Sequence, residues 1–297
     1  MNIDDIKKLK VGKVIENIDL KKYTTYKAGG IGRVLVIPKD IESLQKLFNY
    51  INKNNIKYKM LGLGSNLIFG DDIYEGILIK LDEFNDVNIS GTTIRVGAGY
   101  SLIKLSLLAA RNDLAGLEFA SGIPGTVGGA IYMNAGAYKS DMGYIVKEIK
   151  VLTPDNEIIT MSNKELDFHY RTSYLQKNPG YICLEATLNL YKGDRNAILD
   201  VIRDRKKRRM ETQPLEFPSA GSVFRNPPDD FAGRLIEELG YKGKKIGGAM
   251  VSTKHANFII NVGNAKGNDI KKLILEIQEK VKEKYDIELK VEQEFVE

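Results

Sequence analysis

Two hydrophobic periods alternate along this 297-residue chain, and the alternation divides it into strands and helices. Arg33 to Ile37 reads as a strand stopped by Pro38. Ile41, Leu44, Leu47, Phe48 and Ile51 then recur at helical spacing, with lysines and asparagines on the other face. The apolar run Tyr58 to Leu61 ends in GLGSNLIFGDD, Gly62 to Asp72. Strand, helix, strand and glycine turn make an α/β unit. Short β patterns follow at Gly76–Leu81, Ile145–Leu152, Glu157–Met161 and Tyr181–Tyr191, with one helix at Ser101–Arg111.

A helix over Ala197–Met210 leads away from this body, and beyond it the texture changes. TQPLEFPSAGSVFRNPPDD, Thr212 to Asp230, is rich in proline and small polar residues and reads as a functional loop. Regular patterns then resume as a helix at Asp230–Leu239 and strands near Lys245–Met250 and Phe258–Val262. The next helix opens at Asn268/Asp269 and carries Ile270, Leu273, Ile274, Ile277, Val281 and Tyr285 on one face. A β-like tail, Ile287–Val296, closes the chain. The expected class is mixed α+β, divided into a larger domain over 1–192 (lobes at about 1–58 and 59–192) and a smaller α/β domain over 193–297.

Composition narrows the partners. The formal charge of +5 is mild and falls short of a nucleic-acid signature. The one basic run, RDRKKRR at Arg203–Arg209, lies inside a helical pattern and reads as a solvated face. Cys183 is the single cysteine, so no internal disulfide can form and a reducing cytoplasm is expected. Its neighbours Ile182 and Leu184 suggest a small buried residue, not a nucleophile. His169 and His255 form no Cys/His cluster, so no metal site is expected. The N-terminal MNIDDIKKLKVGK has no apolar core segment and no run approaches a membrane span, so neither a signal peptide nor a membrane partner is expected.

The candidate chemistry centres on Gly116–Ala137, GLEFASGIPGTVGGAIYMNAGA, which is rich in glycine and has Glu118 as its only charge. Glycine lets another group lie directly on the backbone, so the stretch suits a phosphate cradle, and equally a tight turn through a core. Gly62–Leu67 is a second such turn. It lacks the third glycine and following helix of a dinucleotide fingerprint, and no GK[ST] makes a P-loop. Arg171, in FHYRTS, offers a planar cation for a carboxylate or enolate-like oxygen, or an ordinary salt bridge. Ser222 stands in SAGSVFRN without a triad or a G-x-S-x-G motif, so a hydrolytic nucleophile is not expected. A serine hydroxyl is a weak acid and can protonate only a strongly basic centre such as a carbanion. Arg225 and Asn226, stiffened by Pro227-Pro228, would suit a diphosphate. Spacing alone does not choose among the tail glutamates Glu288, Glu292, Glu294 and Glu297.

Taken together, YTTYKAGG, LGLGSNLIFGDD, GLEFASGIPGTVGGAIYMNAGAY, YRTS, PSAGSVFRNP, FAGRLIEELGYKGKKIGGAMVSTKHANFIIN and LKVEQEF resemble the UDP-N-acetylenolpyruvoylglucosamine reductases, the MurB family, from about Tyr23 to Val296. The short chain is more similar to the family's type II branch. The resemblance implies an FAD-binding module of the vanillyl-alcohol oxidase type in the first domain and a substrate-binding second domain. FAD would contact Gly62, Leu63, Gly64, Ser65, Asn66 and Leu67, then Ser121, Gly122, Thr126, Gly128, Gly129 and Ala130, with Arg209 near the flavin. NADPH, the implied co-substrate, reduces FAD and leaves. UDP-N-acetylglucosamine enolpyruvate then takes hydride at its terminal vinyl carbon and becomes UDP-N-acetylmuramate, a peptidoglycan precursor. Arg171 and Glu292 match the positions that polarise the enolate-like species, and Ser222 matches the proton donor. Tyr170, Arg225 and Asn226 match substrate-binding positions. The implied protein is a cytoplasmic monomer. Ile31-Gly32 and Gln293-Glu294 depart from the usual proline and hydrophobic–basic pairs, and the second leaves Glu294 as an alternative register for Glu292. Another FAD-dependent oxidase on the same module, or a nucleotide-binding protein without activity, are the rival readings.

Overall fold

The computed structural model describes residues 1–297. The chain forms two compact units, each gathered from separate stretches. The first takes Met1–Ile15, Val34–Gly62 and Gly76–Lys207, and the second takes Glu16–Arg33, Leu63–Glu75 and Arg208–Glu297.

In the first unit, helix Ile41–Lys53 starts where the Asp40 carboxylate accepts the Ser43 N–H at 2.7 Å. Its Leu44, Leu47, Phe48 and Ile51 are buried, as their spacing predicts. A five-stranded antiparallel sheet runs in the order Ile158–Ser162, Val146–Leu152, Ile182–Asn189, Thr93–Gly97, Val87–Ser90. Helix Leu102–Arg111 adds Leu102, Leu105 and Ala109 to the same core. The glycine-rich stretch is no featureless loop. It holds a 3₁₀ turn, Glu118–Gly122, and a short helix, Val127–Tyr132, because Val127, Ala130 and Ile131 pack into that core.

Cys183 belongs to this core, and burial pushes its thiol up to about 12. The thiolate is the reactive form. The folded protein is therefore expected to resist a thiol reagent at pH 8 and to react fully once unfolded in urea. A thiol titration before and after denaturation checks this. The basic helix Arg195–Thr212 buries only Ile198 and Ile202, and its cations form a solvated face except for the half-buried Arg205, which lies over the Tyr138 ring, and the half-buried Arg209.

The second unit is built on helix Gly267–Tyr285, whose Ile270, Leu273, Ile274, Ile277 and Val281 are buried against a three-stranded antiparallel sheet (Lys245–Ile246, Ala249–Val251, Ile259–Asn261). Its core also takes Tyr26, Ala28 and Ile68 from the two earlier segments. Gly267 sits so close to strand Leu67–Phe69 that a Cβ would lie 1.8 Å from the Phe69 carbonyl oxygen. The Asp71 carboxylate accepts the N–H groups of Gly267 (2.8 Å) and Asn268 (3.1 Å), capping the helix from a distant part of the sequence. Asp71→Ala is expected to cost about 1 to 2 kcal/mol, read as a shifted urea midpoint.

The tail differs from expectation. Only Glu294–Val296 is a strand, and it pairs in parallel with Leu67–Phe69. Residues 287–293 follow the SVFR segment irregularly, through a bridge between Phe224 and Val291. No helix is long and apolar enough to cross a membrane.

Candidate functional site

In the first unit, the turn residue Gly62 and the glycine-rich stretch are neighbours. A Cβ on Gly62 would lie 2.9 Å from the Thr126 hydroxyl, so only glycine allows this approach. That hydroxyl accepts the Gly129 N–H at 3.3 Å and opens the short helix. Lys80 Nζ donates to the Gly62 carbonyl at 3.0 Å and fixes the turn from the other side. Gly128 rests on Ala98, 2.9 Å from a would-be Cβ, and its N–H donates to the Ala98 carbonyl. Ser121 Oγ donates to the Glu118 carbonyl, and Gly122 ends the 3₁₀ turn. Ala130 is buried. These residues leave a low backbone wall of small side chains on which another group can lie closely.

Arg171 is mounted on the far end of the same stretch. It adopts φ 54°, a left-handed conformation uncommon for a branched or long side chain. His169 and Thr172 exchange backbone hydrogen bonds of 3.0 Å around it. Its Nη2 donates to the Gly136 carbonyl at 2.6 Å, and its guanidinium lies 5.1 Å from the Tyr170 ring. Asn134 holds this turn in place by donating to the His169 carbonyl at 2.8 Å while accepting the Gly143 N–H. Strain held at a defined position by surrounding hydrogen bonds is typical of functional sites.

In the second unit, the rest of the glycine turn meets the C-terminal tail. Gly64 has φ 63° and faces Tyr23, whose carbonyl oxygen lies 2.1 Å from a would-be Cβ. The Gly64 carbonyl accepts the Thr25 N–H, so YTTY and the turn are built on each other. Leu63 is exposed, Ser65 is half-buried, and Leu67 begins the short strand. Asn66 Nδ2 donates to the Glu292 carbonyl at 3.0 Å, and the Glu294 N–H donates to the Asn66 carbonyl.

Ser222 and Glu292 are carried on adjacent segments of this unit. The Glu292 N–H donates to the Val223 carbonyl at 2.8 Å, and the Arg225 N–H donates to the Lys290 carbonyl. Asn257, nearly buried, clamps Phe224 by accepting its N–H and donating to its carbonyl. Asn226 Oδ1 accepts the Ala232 N–H at the start of helix Ala232–Glu238, which gives it a structural bond. Arg209 donates to Gln213 at 3.0 Å. The two tail glutamates flank Gln293, whose side chain is buried while both of theirs are half-exposed. Sequence patterns pass over Asn134, Asn257 and Gln293, although each lies inside a stretch singled out as a motif.

A family model described as the UDP-N-acetylenolpyruvoylglucosamine reductase C-terminal domain matches residues 213–296, and one described as an FAD binding domain matches residues 32–162. The UDP-N-acetylenolpyruvoylglucosamine reductase of Bacillus licheniformis is 47% identical over 296 residues, 99% of this chain and 97% of its own length. That of Bacillus subtilis is 42% identical over 295 residues, with coverage of 99% and 97%. The crystal structure of UDP-N-acetylenolpyruvylglucosamine reductase from Thermus caldophilus matches with a TM-score of 0.82 at 36% identity, over 96% of this chain and 99% of that one.

Proposed function

This chain belongs to the UDP-N-acetylenolpyruvoylglucosamine reductase family and carries its FAD-binding domain, and we propose that it reduces the enolpyruvyl group of UDP-N-acetylglucosamine enolpyruvate to the lactyl ether of UDP-N-acetylmuramate, with NADPH as the reductant. When bound, FAD would supply the hydride-transfer chemistry that links NADPH to the substrate's vinyl group. The residues assigned to FAD are Gly62 to Leu67, Ser121, Gly122 and Thr126 to Ala130, two turns of small residues whose shape depends on close internal packing at Gly62 and Gly64. Arg209 is assigned to the flavin end.

The protein's own residues handle charge and a proton. Hydride addition leaves an electron pair on the carbon next to the carboxylate, delocalised as an enolate. Arg171, permanently cationic, stabilises the oxygens that gain charge, a contribution on the order of 3 kcal/mol per fixed donor. Ser222 gives its hydroxyl proton to that carbon, which completes addition of one hydride and one proton across the double bond. Glu292 is assigned, with Arg171, to polarising this enolate-like group. Tyr170, Arg225 and Asn226 are assigned to the substrate, the last two to its diphosphate. The protein acts in the cytoplasm as a monomer, without nucleic-acid or membrane partners.

The observation that supports this reading most is the direct pairing of the Ser222 and Glu292 segments in one packed unit, with Asn66 of the glycine turn bonded to Glu292. Turnover with NADPH and the enolpyruvyl sugar nucleotide tests it. The product should be heavier than the substrate by two hydrogens, one NADPH being consumed per product. NADPH consumption that continues without the nucleotide, and yields no heavier product, would refute it.

A further inference from the structure

We propose that Gln293 is a positioning residue that locks the Ser222 loop to the Glu292 segment through one buried amide, an inference that rests on the roles assigned to those two residues above. Its side chain is 4% exposed, in a chain with few buried polar groups. The orientation of the amide is forced by its neighbours. Nε2 faces the carbonyls of Ala220 (3.1 Å), Gly221 (3.3 Å) and Ser222 (3.3 Å), which can only accept. Oε1 faces the Tyr26 hydroxyl at 2.9 Å, which donates to it.

Tyr26 is itself fixed. Its ring is buried, burial raises its phenol pKa so that the hydroxyl stays a donor, and its backbone carbonyl accepts from Asn261 Nδ2 at 2.9 Å. A chain of bonds thus runs from Asn261 through Tyr26 and Gln293 to three consecutive carbonyls ending at Ser222. Such networks rigidify a site when every member is satisfied.

The clamp acts at the apex of the loop, between the buried Ala220 and the Ser222 bridge to Phe258. Gly221 has φ 77°, and nothing lies within 4 Å of where its Cβ would be. Nothing therefore packs on the turn at that point, although Ala220 and Val223 on either side are buried in the core. The carbonyls of 220–222 converge on one amide instead, and that amide belongs to the residue next to Glu292. Gln293 sets the position of the serine and of the glutamate with a single side chain.

The test compares the holoenzyme with Q293M, which keeps volume and removes the amide, and with Y26F, which removes only the hydroxyl. Three readouts are taken: deuterium exchange over 220–224, flavin reduction by NADPH, and reoxidation by the enolpyruvyl sugar nucleotide with its solvent isotope effect. We expect Q293M to exchange faster over 220–224, to be reduced by NADPH within about twofold of the parent, and to be reoxidised about 10- to 100-fold more slowly. Its solvent isotope effect should rise, because a misplaced serine makes proton transfer limiting. Y26F should shift in the same direction by less. Unchanged exchange, unchanged reoxidation, or an equal fall in both half-reactions would overturn the proposal. Failure of the parent enzyme to be reoxidised by the nucleotide would instead sink the functional reading, and the exchange measurement would still decide whether the clamp exists.

Discussion

Ser222→Ala is expected to leave flavin reduction by NADPH near the parent rate while slowing reoxidation by the enolpyruvyl sugar nucleotide by about 10²- to 10⁴-fold, the range for loss of a positioned proton donor. The selectivity follows from what the substitution removes. Ser222 contributes its backbone to a bridge with Phe258, and the following residues are held by backbone and Asn257 bonds. None of these uses the serine Oγ, so alanine leaves the loop in place. NADPH delivers hydride without needing an acid, whereas the substrate carbon next to the carboxylate cannot be completed without a proton. Rapid-mixing traces of the two half-reactions check this. An equal loss in both would mean that the fold, or the assignment of Ser222, is at fault.

Gly64→Ala is expected to yield a protein that folds but purifies without yellow colour. Alanine pays about 1 to 2 kcal/mol for left-handed φ, and its Cβ would also fall 2.1 Å from the Tyr23 carbonyl oxygen. Backbone cannot yield as a flexible side chain does, so the turn must separate from the YTTY segment and lose its shape. Gly91→Ala is the control. Gly91 has almost the same φ, 60°, but nothing lies within 4 Å of its would-be Cβ. It carries the conformational cost without the clash and should retain flavin. The ratio of flavin to protein absorbance in the purified variants decides the matter. Stoichiometric FAD in Gly64→Ala would remove the Gly62–Leu67 turn from the cofactor site.

Local structure was legible where one face of an element is buried and the other is wet. Helices Ile41–Lys53 and Gly267–Tyr285 are marked by the very residues that pack inward. The solvated basic helix and the buried Cys183 follow from the same patterning. The second unit's composition was not legible, because nothing in the periodicity of 16–33 or 63–75 says that Tyr26 and Ile68 join a core made largely by residues after 208. The tail misled for a related reason. Its apolar alternation suggests a strand throughout, yet only Glu294–Val296 finds a partner in Leu67–Phe69, and a strand exists only where one is available. Buried amides are the hardest to read. Gln293 and Asn257 look like surface residues in a sequence, and only the carbonyls facing them reveal their burial. The glycine turns and the serine loop, by contrast, stand out by composition, since close backbone approach and turns demand small residues.

The most direct test of the account follows the visible flavin band of the purified protein without oxygen, first on adding NADPH and then on adding the enolpyruvyl sugar nucleotide. NADPH should bleach the band and the nucleotide should restore it fully within the mixing experiment, faster than air does. A band that oxygen restores quickly and the nucleotide leaves bleached would identify an oxidase on the same module and contradict the reductase reading.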